Sequence, residues 1–149
     1  MGLNDMCDAV LLDANVLIDY QSDMRFVLEA LIACGWHFSV VADVLNEVLT
    51  GNYEDFPLEI IHPTPMQRLQ CNERPRCLSE QDMLCFLCAQ EYGLACATND
   101  VRLKKELRRN GIHVHTSITL LEAANHAQML TREAYEYCSQ VMIARKYSE

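Results

Sequence analysis

Two short apolar runs, each ending in an acid or in a hydroxyl, amide and acid in succession, constrain the fold of this chain more than any other feature. Ala9, Val10, Leu11 and Leu12 lead into Asp13, and Leu94, Ala95, Cys96 and Ala97 lead into Thr98, Asn99 and Asp100. An apolar run without polar alternation belongs to a strand covered on both faces, as in a parallel sheet between helix layers. In such sheets ligands gather at the carboxyl ends of the strands, because the loops there vary while the sheet holds their roots. Both runs therefore put an acid where a binding site is expected.

The remaining chain alternates in the same way. Residues 36–41, 58–61 and 112–115 read as further strands. Residues 15–20 give one or two helical turns, and Met24, Val27, Leu28, Leu31 and Ile32 recur at helical spacing, with Ser22 as the expected N-cap and Gly35 as the stop. Asp43 is expected to cap a helix that carries Glu47 and runs to Gly51. Ser79 and Asp82 have the spacing of a capping box, opening a helix that Gly93 ends. A helix over residues 99–110 precedes Gly111, and residues 117–130 and 131–146 close the chain as two helices, with Thr131 as an N-cap. Residues 62–78 are the least regular, with one helical piece over 66–70. This order predicts an α/β fold, a three-layer α/β/α sandwich on a mostly parallel sheet, with right-handed crossovers. A length of 149 residues suits a single domain.

Composition narrows the function classes. Half of the residues are apolar and 22% are charged, with no apolar run long enough to span a bilayer. The first eight residues carry Asp5 and Asp8 and no basic residue, and Met6 stands where a myristoylation signal needs Ser or Thr. The expectation is a cytoplasmic protein without membrane association. Several of the eight cysteines fall inside apolar patterns, so buried free thiols are the simplest reading. Cys71, Cys77, Cys85 and Cys88 could be written as a zinc site, but the last two sit within an apolar helix pattern and the first pair is widely spaced. The net charge of −9 opposes non-specific nucleic-acid binding, so a nucleic-acid substrate requires a local basic patch, bound cations, or both.

Asp13, Glu47, Asp82 and Asp100 each stand at a strand end or in the first turns of the following helix. On a parallel sheet all four fall on one edge. Carboxylates held together repel one another until a hard cation such as Mg²⁺ or Mn²⁺ neutralises them, and such a cluster can polarise a phosphodiester and activate water. Each acid also has a bland reading, as a cap or a solvated helical residue, and only Asp13, directly after four apolar residues, resists it. Asp19, Asp23 and Asp43 are weaker candidates, and His113 and His115 lack a third ligand nearby. There is no Gly-rich phosphate loop and no Gly-x-Ser-x-Gly elbow, and Asp13-Ala14-Asn15 lacks the second acid of a haloacid-dehalogenase-like phosphatase.

Taken together, the run from Val10 through Asp13 and Asn15, the Glu47 helix, Ser79-x-x-Asp82, and Thr98-Asn99-Asp100 before a basic helix resemble the PIN-domain nucleases, over about residues 8–122. Residues 123–149 would form a helical extension of the same domain. The resemblance implies a compact α/β/α sandwich and an endoribonuclease using Mg²⁺ or Mn²⁺, as in the ribonuclease toxins of bacterial toxin-antitoxin pairs. Carried over by position, Asp13, Glu47, Asp82 and Asp100 are the catalytic and metal-binding acids, with Asn15 and Thr98 in support. Ala14 departs from the Thr or Ser usual in the family. Arg102, Lys104, Lys105, Arg108 and Arg109 offer RNA phosphate contacts, although a solvated helix face is the simpler reading for any single one. An RNA substrate, an antitoxin protein and a homodimer are the partners implied. The alternative is a non-catalytic PIN-like module that binds RNA or protein.

Overall fold

The computed structural model describes residues 8–46, 48, 53 and 56–145. Five strands form one sheet: β1 (Ala9–Leu12), β2 (His37–Val41), β3 (Leu58–Ile61), β4 (Ala95–Ala97) and β5 (Val114–His115). Their order is β3-β2-β1-β4-β5, and every neighbouring pair is parallel. The apolar run of β1 takes the central place, with Leu11 opposite both Ser39 of β2 and Cys96 of β4. Val10, Leu11, Leu12, Cys96 and Ala97 are fully buried, as strands covered on both faces must be.

Eight helices surround this sheet among the described residues: α1 (Ala14–Tyr20), α2 (Arg25–Ala33), α3 (Ala42–Leu45), α4 (Pro65–Gln70), α5 (Glu80–Tyr92), α6 (Val101–Arg109), α7 (Ser117–His126) and α8 (Arg132–Ala144). On one side α1 packs on α2, α2 on α7 and α7 on α8; on the other, α5 packs against both α4 and α6. Val16, Leu28, Leu31 and Leu120 fill the first layer and Leu84, Cys85, Leu103 and Leu107 the second, in one continuous apolar core. The architecture is the expected α/β sandwich on a parallel sheet. No described helix is long and apolar enough to cross a membrane.

Local signals set most boundaries. Ser79 accepts a hydrogen bond from the Asp82 amide while the Asp82 carboxylate accepts one from the Ser79 amide, so α5 opens with a true capping box. Gly93 ends α5 in the left-handed region at φ 65°, a conformation that side chains disfavour. Two caps differ from expectation. Ser22 falls in a 3₁₀ turn (Ser22–Met24) that tightens the corner between α1 and α2, and α2 starts only after Met24. Asp43 lies inside the first turn of α3, capped by Val41 without a side-chain bond, and instead accepts from the two terminal guanidinium nitrogens of Arg68 at 2.9 and 3.0 Å. Most of the expected continuation of α3 to Gly51, Glu47 included, lies outside the described residues.

The seven described cysteines are free thiols. Cys77 is exposed, Cys88 lies against Gln67 and Cys85 against Asp13, so the four that could be written as a zinc site point to different surroundings.

Candidate active site

The strand order reverses at β1, whose neighbours β2 and β4 belong to opposite halves of the sheet. In open α/β sheets the crevice outside the carboxyl ends of the strands at such a reversal is the usual ligand site. Asp13 and Asp100 occupy this crevice. The Asp13 amide donates to Ala97 O at 2.9 Å and the Thr98 amide to His115 O at 2.9 Å, which extends the sheet by one step and fixes where both loops leave it. Because α5 runs back toward the start of β4, its N-terminus and Asp82 lie at the same edge.

Asp13 is 3% exposed and surrounded by donors. Its Oδ1 accepts from the Ala14 amide at 2.8 Å and the Cys85 thiol at 3.8 Å; its Oδ2 accepts from the Thr98 hydroxyl at 2.7 Å and Asn15 Nδ2 at 3.2 Å. Burial nevertheless pushes its carboxyl up to about 6, against the lowering effect of the Thr98 and Ala14 bonds, and the charges of Asp82 and Asp100 raise it further. Asp82 is raised in the same direction, first by burial and then by the charge of Asp100, with the Ser79 bonds opposing. These couplings put the three carboxylates within each other's fields. Burial drives the Cys85 thiol well above its ordinary range, so it stays protonated and acts as a donor to Asp13.

All three acids hold helix N-termini. Asp13 caps α1 through the Ala14 amide, Asp82 completes the box of α5, and Asp100 Oδ1 accepts from the Leu103 amide at 2.9 Å to cap α6. Asp82 Oδ1 and Asp100 Oδ2 take no part in these caps. Thr98, fully buried, donates to Asp13 and accepts from the Asp100 amide at 3.1 Å, so one hydroxyl ties two of the acids together. Asn15 spans Asp13, Thr98 Oγ1 at 3.4 Å and the Asn99 amide at 3.0 Å. The missing hydroxyl at Ala14 leaves the backbone bond to Asp13 intact.

In donor chemistry the set suits a hard divalent cation, with carboxylate oxygens only and mutual repulsion to be neutralised. Among the described residues no three acids, histidines or cysteines are grouped closely enough to cage an ion by themselves. Mg²⁺ does not need such a cage, since it commonly keeps several waters and binds through one or two carboxylates.

The basic residues are divided. Arg102, Lys105 and Arg108 are exposed on α6, whereas Lys104 is 7% exposed and flanks Leu103 and Leu107 on the core side. Arg109 pairs with Glu106 at 2.7 Å. Sequence reasoning passed over two exposed arginines just ahead of α5: Arg74, whose guanidinium is fixed by Leu78 O at 3.1 Å and Cys71 O at 2.9 Å, and Arg76. It also missed the side chain of Asn99 and gave little weight to Asp19. Asp19 is 3% exposed and bound to Arg145, Ser117 and Asn99. Asp23 accepts a hydrogen bond from Tyr137. His113 and His115 stack edge to face at 4.7 Å, and Trp36 lies 5.2 Å from His115.

No protein-family model matches this chain, and no curated protein does. Among solved structures it matches a PilT N-terminus domain protein from the hyperthermophilic archaeon Sulfolobus solfataricus with a TM-score of 0.60, covering 78% of this chain and 92% of that one. The fold is PIN-like. The two chains are 8% identical, so the match establishes the fold alone. In this PIN-like frame the acids lie on loops rooted in β1 and β4 and on the first turn of α5.

Proposed function

We propose that this protein is a metal-dependent endoribonuclease. The observation that supports the reading is that Asp13, Asp82 and Asp100 stand at the carboxyl edge of the sheet beside its reversal point, with Asp13 and Asp82 raised first by burial and then by neighbouring carboxylates. Helix capping needs only one oxygen of Asp82 and one of Asp100, and carboxylates raised by burial and by one another cluster at functional sites. PIN-like folds are commonly nucleases, which agrees with this reading.

Asp82 and Asp100, each with an oxygen outside its cap, and Asp13 behind them would hold Mg²⁺ or Mn²⁺, with Glu47 ligating or orienting it through water. The bound cation would supply Lewis-acid stabilisation of phosphodiester charge and an activated water nucleophile. Thr98 and Asn15 hold the Asp13 carboxylate in one orientation, and Thr98 also fixes the backbone of Asp100. Arg102, Lys105 and Arg108 on one side, and Arg74 and Arg76 on the other, offer phosphate contacts that an acidic chain needs in order to hold RNA. As a toxin, the protein would arrest growth when expressed alone and be neutralised by an antitoxin partner.

One observation favours a second reading. The three described acids form no ready cage among themselves, as expected of a PIN-like module that binds RNA or protein without cutting. RNA cleavage by purified protein, measured with Mn²⁺, with EDTA and with Asp100→Asn, separates the two. Cleavage that depends on Mn²⁺ and disappears in the variant supports the nuclease. Cleavage surviving both treatments sinks the mechanism, and absence of cleavage with retained RNA binding favours the module.

A further inference from the structure

We propose that α8 belongs to the active-site apparatus, with Arg145 acting as a positioning residue for the loop of Thr98, Asn99 and Asp100. The metal-binding part of this inference rests on the nuclease reading above. Arg145 Nη1 donates to Asp19 Oδ1 at 2.7 Å and to Asp19 O at 3.3 Å, across 126 residues of sequence. Asp19 Oδ2 accepts from Ser117 Oγ at 2.6 Å and from Asn99 Nδ2 at 3.0 Å. Asn99 is clamped at its other end as well, since its Oδ1 accepts from the Ser117 amide at 3.0 Å. Its own amide donates to Asn15 Oδ1, and Asn15 Nδ2 donates to Asp13 Oδ2. A continuous run of hydrogen bonds thus leads from the C-cap of α8 to the most buried of the described acids of the site, passing the residue beside Asp100.

Fastening α8 does not require this arrangement. The helix already packs on α7 and buries Cys138 and Met142, and a buried carboxylate with a guanidinium is a poor source of stability compared with apolar packing. What the ion pair does supply is direction. With Asp19 held by Arg145 and Ser117, Asn99 has one orientation that satisfies both ends of its amide, and its neighbours Thr98 and Asp100 inherit that geometry.

Amide hydrogen exchange at Asn99 and Ser117, whose N–H groups are held only by side chains in the run above, reads the positioning in metal-free protein. Calorimetric titration with Mn²⁺ reads its consequence. Arg145→Gln should speed exchange at both amides about tenfold, the scale of one lost charge-assisted hydrogen bond. It should also weaken Mn²⁺ binding about tenfold, as loss of a ligand-orienting partner does, and Arg145→Lys should restore most of both. Met142→Ala loosens α8 without touching the run and should lower the melting temperature while leaving both readouts at wild-type values. Unchanged exchange in Arg145→Gln, or equal effects from Met142→Ala, overturns the proposal. So does faster exchange with unaltered Mn²⁺ affinity in a chain that binds the ion. If the wild type binds no Mn²⁺ while exchange responds as stated, the positioning stands and the nuclease reading fails. Ser117→Ala, which removes a link between Asp19 and Asn99, gives the same pattern should Arg145→Gln be too unstable to measure.

Discussion

In metal-free protein Asp13 should make the chain less stable as pH rises toward neutrality, against the usual behaviour of a hydrogen-bonded carboxylate. Its carboxyl is raised from 3.8 to about 6 in the folded state because burial outweighs the donors around it. The folded protein therefore binds the proton more tightly than the unfolded chain between those values. The stabilising contribution is complete below about pH 4 and is lost as pH rises through about 6. A shift of this size amounts to about 3 kcal/mol, and roughly 2 kcal/mol of it falls between pH 7.5 and pH 4.5. Denaturant unfolding of wild type and Asp13→Asn in EDTA across that range isolates the term, since the other acids largely cancel in the difference. Relative to the variant, the wild type should gain about 2 kcal/mol on acidification. A flat difference would show that Asp13 titrates as in water. A difference of opposite sign would show that Thr98, Asn15 and the Ala14 amide overcome burial.

On the nuclease reading, Mn²⁺ should raise the melting temperature more at pH 7.5 than at pH 5, because at the lower pH protons already neutralise Asp13; an equal shift at both would place the ion elsewhere. Thr98→Val keeps the shape but removes the hydroxyl shared by Asp13 and the Asp100 amide, and should destabilise by about 1–3 kcal/mol in chemical denaturation. Gly93→Ala meets no atom within 4 Å, so its cost should be the backbone strain of φ 65° alone, about 1 kcal/mol. Asp100→Asn preserves the α6 cap and should change stability by less than about 1 kcal/mol, so that any loss of cleavage is not a loss of fold.

What could be read from the chain was what is local in it. The β1 and β4 runs, the Ser79–Asp82 box, the Thr131 cap and the Gly93 stop are each decided within a few residues by burial, capping or a left-handed turn, and the structure has them where expected. Asp43 misled because an acid near a helix start has the same local signature whether it caps the helix or meets an arginine 25 residues away. Asp19 and Arg145 were illegible for the same reason at longer range: an ion pair between α1 and the end of α8 leaves no periodicity. Lys104 shows the limit of counting charges on a helix. Basic residues crowd α6, yet Leu103 and Leu107 decide which side turns inward, and Lys104 goes with them.

The helix caps also explain how the fold tolerates its acids before any cation arrives. Asp13, Asp82 and Asp100 would destabilise the crevice if they met only one another, since burial raises the first two and the charges of neighbouring carboxylates add to it. Each instead faces the N-terminus of a helix, where free amides and the positive end of the backbone dipole favour negative charge. Three helices starting at one edge of a parallel sheet supply that compensation together, which follows from strands and helices alternating along the chain. The compensation is incomplete at Asp13, the most buried of the three, and completing it is what a bound cation would do. At Asp82 and Asp100, capping and ion binding are thus not rival explanations, since the oxygens that take the amides of α5 and α6 are not the ones left over for a ligand.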